Sequence, residues 1–416
     1  MILSMKSKRR SIESMANNST PLALRNHDII KDIISRLPVK SVKRFESVCK
    51  AWYFLFHSGD FISIHFRRSS PRPSLLIRRF HSPSGSNFSI TLIDSRTSIP
   101  REIRIPFLGS LIRYPKIVAS CNGIICFDVS PCYACAFVLW NISTRQFRGL
   151  PRPTINDAHE PIWMVACGFG YSPQNNDFKL VRIVNFHCND DDSPVVRAEV
   201  YSWSTTSWRL LDGRMIEERI GSCVIPEGQQ AVIVDGSVHW LANGVGKLAN
   251  HKFIVSFNMG NEVFKTIQTL DFIPPGICAK LVRFNESLAL ALYPAMPVYP
   301  SGYGRPINLI ELWTLNKDYP TDGDGTRWTK LHTLELNSSG LGTPIGVYNE
   351  SELLVKRVDA QCVTLSFFDP YNKTIKTIPI CNSEYTCEFY NYVDSLVPVE
   401  NAADLETEEA QELEIH

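Results

Sequence analysis

Residues 28–52 read DIIKDIISRLPVKSVKRFESVCKAW, and their apolar side chains recur at helical spacing. Ile29, Ile30, Ile33, Ile34 and Leu37 follow the i, i+3/i+4, i+7/i+8 pattern of one helix face. Pro38 ends that helix, because it lacks an N–H and restricts the residue before it. The same proline can open a second helix, on which Val42, Phe45, Val48 and Cys49 fall to one side. Trp52, Leu55 and Phe56 continue the series until Gly59 offers a C-terminal stop. A unit of roughly 30 residues is too small to bury all of these side chains against itself. It must pack on the rest of the chain or on a partner.

Arg36, Leu37, Pro38, Val39, Lys40, Ser41, Arg44, Phe45, Val48, Cys49, Lys50 and Trp52 form a long ordered run that resembles the core of an F-box. The resemblance implies a three-helix module over 22–69 that docks on a Skp-type adaptor and, through it, on a cullin scaffold. The contact residues it implies are Ile30, Ile33, Ile34, Leu37, Pro38, Val39, Val42, Phe45, Val48, Cys49 and Trp52. The sequence departs from the family at Arg25-Asn26, where most members carry Leu-Pro.

The composition, 44% hydrophobic and 20% charged, is that of a globular chain with ample apolar material for a core. A net charge of +1 argues against a nucleic-acid binder. Charge is uneven, however: residues 28–79 hold eleven lysines and arginines against four acids, an excess that can steer an acidic partner or simply form a solvated face. The N-terminus lacks the apolar core of a secretory signal, and no run of 18 apolar residues occurs, so no membrane span is expected. Cysteines set inside apolar strands, among them Cys121, Cys126, Cys167 and Cys362, fit a reducing cytosol or nucleus. Residues 1–21 and the acidic stretch 400–416 are expected to be disordered.

From Ser74 the periodicity becomes strand-like and a repeat emerges, with the two prolines of 69–74 marking the boundary. VLWNISTRQFRGL, EVYSWSTTSWRLL, IVSFNMGNEVFKTI and LSFFDPYNKTIKTI each place an aromatic residue seven positions before a large apolar one. The pairs are Trp140/Phe147, Tyr201/Trp208, Phe257/Phe264 and Phe368/Ile375. A copy with a longer loop pairs Trp313 with Trp328. A second hairpin signal precedes each copy, at Asn122-Gly123, Asn175 to Asp177, Asp235-Gly236, Asn285 and Asn349. Two hairpins every 55 residues or so make four-stranded propeller blades. Three strands over 74–107 and one within 387–399 complete a composite blade that closes the ring. The expectation is six blades, or seven if an insertion hides a divergent hairpin.

The order ASCNGIICF, LWNISTRQFRGLP, CGFGYSPQNNDFKLVRI, AEVYSWSTTSWR, VDGSVHWLA, IVSFNMGNEVF and YVDSLV is similar to the F-box-associated, kelch-like domain of plant F-box proteins, here over 74–399. Domain order and the closing YVDSLV also resemble the S-locus F-box group, which implies a pistil ribonuclease as one candidate substrate. The resemblance implies a non-catalytic substrate receptor of a ubiquitin ligase, needing no cofactor. An F-box scaffold acting outside a ligase, or a propeller enzyme, are the alternatives.

Candidate chemistry is sparse. Cys132 and Cys135 have CxxC spacing, but no second ligand pair follows, so packed or loop thiols are expected rather than zinc. Gly168-Phe-Gly170 lacks the third glycine and the helix of a phosphate cradle and reads as close strand packing. His239 has no evident nucleophile or carboxylate partner and reads as a core or blade-face histidine. Tyr201, Trp203 and Trp208 read mostly as blade core. Substrate contacts are expected on the long loops 184–196, 295–306 and 317–327, through His187, Asp190, Asp191, Asp192, Tyr299, Tyr303, Arg305 and Tyr319.

Overall fold

A computed structural model describes residues 28–71, 73–80, 88–94, 100–107, 115–130, 136–155, 162–186, 195–249, 251–270, 273–295, 308–316, 328–336, 341–349, 351–358, 363–380 and 387–399. Four helical segments come first: α1 over 28–34, α2 Val39–Phe45, α3 Lys50–Phe56 and α4 Gly59–Ser69. Pro38 divides α1 from α2 as expected, its carbonyl accepting the N–H groups of Ser41 (2.8 Å) and Val42 (3.2 Å). The second helix is not continuous, so three helices become four. Cys49 is extended (φ −159°, ψ 159°) ahead of α3, and the break folds Trp52 back onto Phe45, ring centroids 5.5 Å apart. Two turns of unbroken helix would hold them about 10 Å apart. Gly59 is the first residue of α4 rather than a stop. Ser58 caps that helix, its Oγ accepting the Phe61 N–H.

The remaining strands form six antiparallel sheets, so the count is six blades and not seven. Blade 1 is composite, with strand order β25 (Cys387–Tyr392), β1 (Ser74–Phe80), β2 (Phe88–Ile93), β3 (Pro100–Ile103). Blade 2 holds β4 (Lys116–Cys121), β5 (Ile124–Asp128), β6 (Phe137–Asn141) and β7 (Gln146–Gly149). Blade 3 holds β8 (Ile162–Ser172), β9 (Asp177–Phe186), β10 (Val195–Ser202) and β11 (Ser207–Leu210). A helix, α5 (Gly213–Ile220), leads to blade 4, where β12 (Cys223–Val224) and β13 (Val232–Val234) share one edge of β14 (Ser237–Gly244), followed by β15 (Lys252–Asn258) and β16 (Val263–Gln268). Blade 5 holds β17 (Ile277–Phe284), β18 (Ser287–Pro294), β19 (Asn308–Leu315) and β20 (Trp328–Leu336). Blade 6 holds β21 (Leu341–Tyr348), β22 (Glu352–Val358), β23 (Val363–Asp369) and β24 (Thr374–Ile380). The innermost strands meet all the way round, β25 touching both β4 and β21.

Local chemistry sets the hairpins. Asn122-Gly123, Asp235-Gly236 and Asn285-Glu286 have positive φ at both central positions, the geometry of tight turns matched to strand twist. The outer hairpins end on a single positive-φ residue, at Arg145, Thr206, Glu262 and Lys373. In three of them the side-chain oxygen of the residue four positions earlier, Asn141, Asn258 or Asp369, accepts backbone N–H groups of the turn, those of Ser143, Gly260 and Tyr371 among them. Blade 3 has Ser202 at that place, and Asp177 from the neighbouring strand substitutes, accepting the Ser204 N–H at 2.9 Å.

Repeat partners face one another across the strands in four copies, Trp140 with Phe147, Tyr201 with Trp208, Phe257 with Phe264, and Phe368 with Ile375. The fifth differs from expectation: Trp313 pairs with Lys330, and Trp328 pairs with Leu315. The register is unbroken from Leu315/Trp328 to Trp313/Lys330 and shifts only beyond Trp313, at a bulge next to Leu312, so the longer loop sets the pairing. Tyr201 is buried, and the Trp208 indole donates to the Pro151 carbonyl at 2.7 Å, so both serve blade packing. A Cβ on Gly168 would come within 2.5 Å of the Trp240 ring, which makes the glycine a point of close approach between blades 3 and 4.

Candidate adaptor interface

The helical module has its own core, built from Ile34, Val39, Val42, Phe56 and Phe61, with Leu37, Trp52, Leu55 and Ile62 packed against it. One further core residue, Leu396, comes from the segment after β25. His65 is buried beside them, its Nε2–H donating to the Leu37 carbonyl at 2.9 Å. Burial pushes its pKa down, opposed by that bond and by Asp394.

This core divides the expected contact residues. Ile34, Val39 and Val42 are consumed by the module itself, and Leu37 and Trp52 are half-buried. Ile30, Ile33, Pro38, Phe45, Val48 and Cys49 stay exposed. Ile33 is 57% exposed and Val48 61%. Ile29, Tyr53 and Phe54 extend the exposed apolar set and were not among the residues expected from sequence. The signal was there: α3 reads KAWYFLF, and a helix so apolar cannot turn every side chain inward. Large apolar residues grouped on one small module mark an interaction surface.

Charges frame the surface. Asp32 is bound by Arg36 (2.9 Å) and by Arg68, whose guanidinium groups hold its carboxyl below the usual value. Lys31 pairs with Asp60, and Lys43 with Glu46 at 2.7 Å. Lys40, Arg44 and Lys50 are exposed with no ion pair among the described residues, so they present net positive charge beside the apolar set.

Other sequence candidates resolve differently. His187, Asp190, Asp191, Asp192, Tyr299, Tyr303, Arg305 and Tyr319 lie outside the described residues, as do Cys132 and Cys135. His239 is buried, bonded to Val234, with its pKa pushed down to about 4 by burial. Burial lifts the Cys121 thiol to about 12 and that of Cys126 well above its ordinary value, leaving both as packed, unreactive groups. Among the described residues no group of three or more metal-ligating side chains converges. None of the described helices is long and apolar enough to cross a membrane.

A small helical module joined to a closed six-bladed propeller is thus the architecture of the chain. Residues 87–399 match the F-box associated beta propeller domain, and residues 26–63 match the F-box domain. The chain belongs to the family of F-box proteins that carry this propeller. An Arabidopsis thaliana F-box protein is 27% identical over 340 residues, covering 77% of this chain and 81% of the relative. F-box protein CPR1 of the same plant is 24% identical over 398 residues, covering 89% of this chain and 88% of that protein. Among solved structures, TolB from Acinetobacter baumannii aligns at a TM-score of 0.40 with 11% identity, over 80% of this chain and 72% of that one.

Proposed function

We propose that this chain is the substrate-recognition subunit of a Skp–cullin–F-box ubiquitin ligase, its helical module docking on the adaptor and its propeller holding a protein substrate. The observation that carries the reading is the exposed apolar surface on the module, Ile29, Ile30, Ile33, Phe45, Val48, Tyr53 and Phe54, in a chain that matches the F-box domain. Pro38 and Cys49 are exposed as well, while Ile34, Val39 and Val42 form the module's core and Leu37 and Trp52 pack against it. Lys40, Arg44 and Lys50 favour an acidic partner. Substrate contact is assigned to the long loops that carry His187, Asp190 to Asp192, Tyr299, Tyr303, Arg305 and Tyr319. The receptor supplies no reacting group. It raises the effective concentration of substrate lysines near a charged ubiquitin carrier.

The test is binding of the full chain to a purified Skp-type adaptor. Ile33→Glu combined with Val48→Glu places charge on two exposed positions and is expected to weaken binding at least thirtyfold, as removal of interface anchors does. The thermal midpoint should stay put. Unchanged affinity in a folded variant sinks the docking assignment.

A further inference from the structure

A cavity of about 790 Å3 occupies the propeller axis, within the range of roughly 300–1,000 Å3 that small-molecule sites take. Its wall comes from the innermost strands, including Ile117 on β4, Met164 on β8, Leu281 on β17, Ile345 on β21 and Phe389 on β25. Blade 4 adds something different. Between β12 and β13 the chain leaves the sheet, broken by Pro226 and by Gly228 at φ +79°, and enters the channel. There the Gln230 amide donates to the Phe389 carbonyl of blade 1 at 3.2 Å, and Glu227 pairs with Lys116 of blade 2 at 2.8 Å. Blade 1 stands opposite blade 4 in the ring, so this loop crosses the axis and bounds the cavity.

The charged groups in the wall are mostly neutralised. Glu227 answers Lys116, Glu199 answers Arg182 at 2.7 Å, and Arg78 answers Glu388 at 2.8 Å. Glu388 also accepts from the Tyr390 hydroxyl at 3.3 Å. Asp128, which takes the Ser130 N–H at 3.0 Å, and the exposed Arg152 offset each other in net charge. Lys280 remains. Its ammonium has no hydrogen bond or ion pair among the described residues, and it is enclosed by protein while keeping a partial opening to the cavity. Burial pushes its ammonium down to about 8 and Glu388 opposes the shift, so the group is still mostly charged at neutral pH. An enclosed cation that shares its nearest carboxylate, Glu388, with Arg78 is unfavourable unless something further pairs with it.

From this arrangement we infer that the central channel, whose wall is part polar and part apolar, binds a small organic anion, with the Lys280 ammonium as the partner of its carboxylate and the apolar strand residues Ile117, Met164, Leu281, Ile345 and Phe389 against its body. The site is separate from the adaptor surface and does not depend on the ligase reading.

The experiment titrates the full chain with benzoate, 2-naphthoate and biphenyl-4-carboxylate by calorimetry, with naphthalene-2-methanol as the neutral counterpart. Saturable one-site binding of at least one carboxylate is expected, with the alcohol binding at least tenfold more weakly. Lys280→Met should weaken the carboxylate tenfold or more, whereas Lys247→Met, outside the channel, should leave it unchanged. If Lys280→Met does not fold, the wild-type chain is labelled with pyridoxal 5′-phosphate and borohydride and mapped by mass spectrometry. Lys280 should then be modified, and the bound carboxylate should protect it. Absence of saturable binding, equal affinity for the alcohol, unchanged affinity in folded Lys280→Met, or Lys280 left unlabelled or unprotected each overturns the inference.

Discussion

His239 shows how one buried side chain ties stability to pH. Its pKa is pushed down to about 4 by burial, against the support of Val234 and Asp235. An unfolded chain takes up the proton near pH 6.5, while the native chain resists until about pH 4. The native state therefore binds fewer protons in that window, and stability is lost as pH falls from 6.5 towards 4. The loss from this residue is on the order of 3 kcal/mol. Urea unfolding at pH 7 and pH 4.5 should show a clearly smaller drop for His239→Gln than for the wild type. An equal drop would remove His239 as the cause. The strand setting of His239 was legible from SVHWLA, and so was a place in the core or on a blade face; which of the two it takes was not, since alternation alone does not say which face another blade will cover.

Among the elements, the segment 393–399 joins the two halves of the molecule. Asn141 at the end of β6 donates through Nδ2 to the carbonyls of Ser395 (3.0 Å) and Val397 (2.9 Å). Gln146 accepts the Val399 N–H at 3.1 Å, and the Ser143 hydroxyl donates to Asp394 at 2.6 Å. Gly123 permits this approach, since a Cβ there would meet Ser395 at 2.1 Å. Pinned in this way to blade 2, the segment inserts Leu396 into the helical core. Leu396→Ala should cost about 2–4 kcal/mol of the module's stability, as other buried leucine truncations do. Hydrogen exchange would report it as faster exchange in α1 to α4 with protection in blades 2 to 6 unchanged. Uniform loss of protection would mean that the two halves unfold as one. Sequence periodicity placed the helical module and its proline boundary, though not the break at Cys49, and it had no means of bringing Leu396 into the core that holds Val42.

At the scale of the whole molecule, closure depends on the chain's last strand pairing with its first. β25 lies antiparallel to β1, Leu76 opposite Tyr390 and Ile77 opposite Phe389. A chain ending at residue 386 would leave β1 as an open edge and remove one wall of the channel. It is expected to unfold at a lower temperature and to elute from a sizing column as larger species; a monomer with the wild-type midpoint would contradict this role for β25. The helical module, most of the hairpin turns, the repeat of about 55 residues and the composite closing blade can all be read along the chain. These follow from local preferences and from a period that repeats along the chain. Tertiary structure alone decided which apolar residues of the module stay exposed, that Leu396 completes its core, and that Lys280 faces the axis beside Glu388. Those facts depend on contacts between residues far apart in the chain, and no local pattern encodes them.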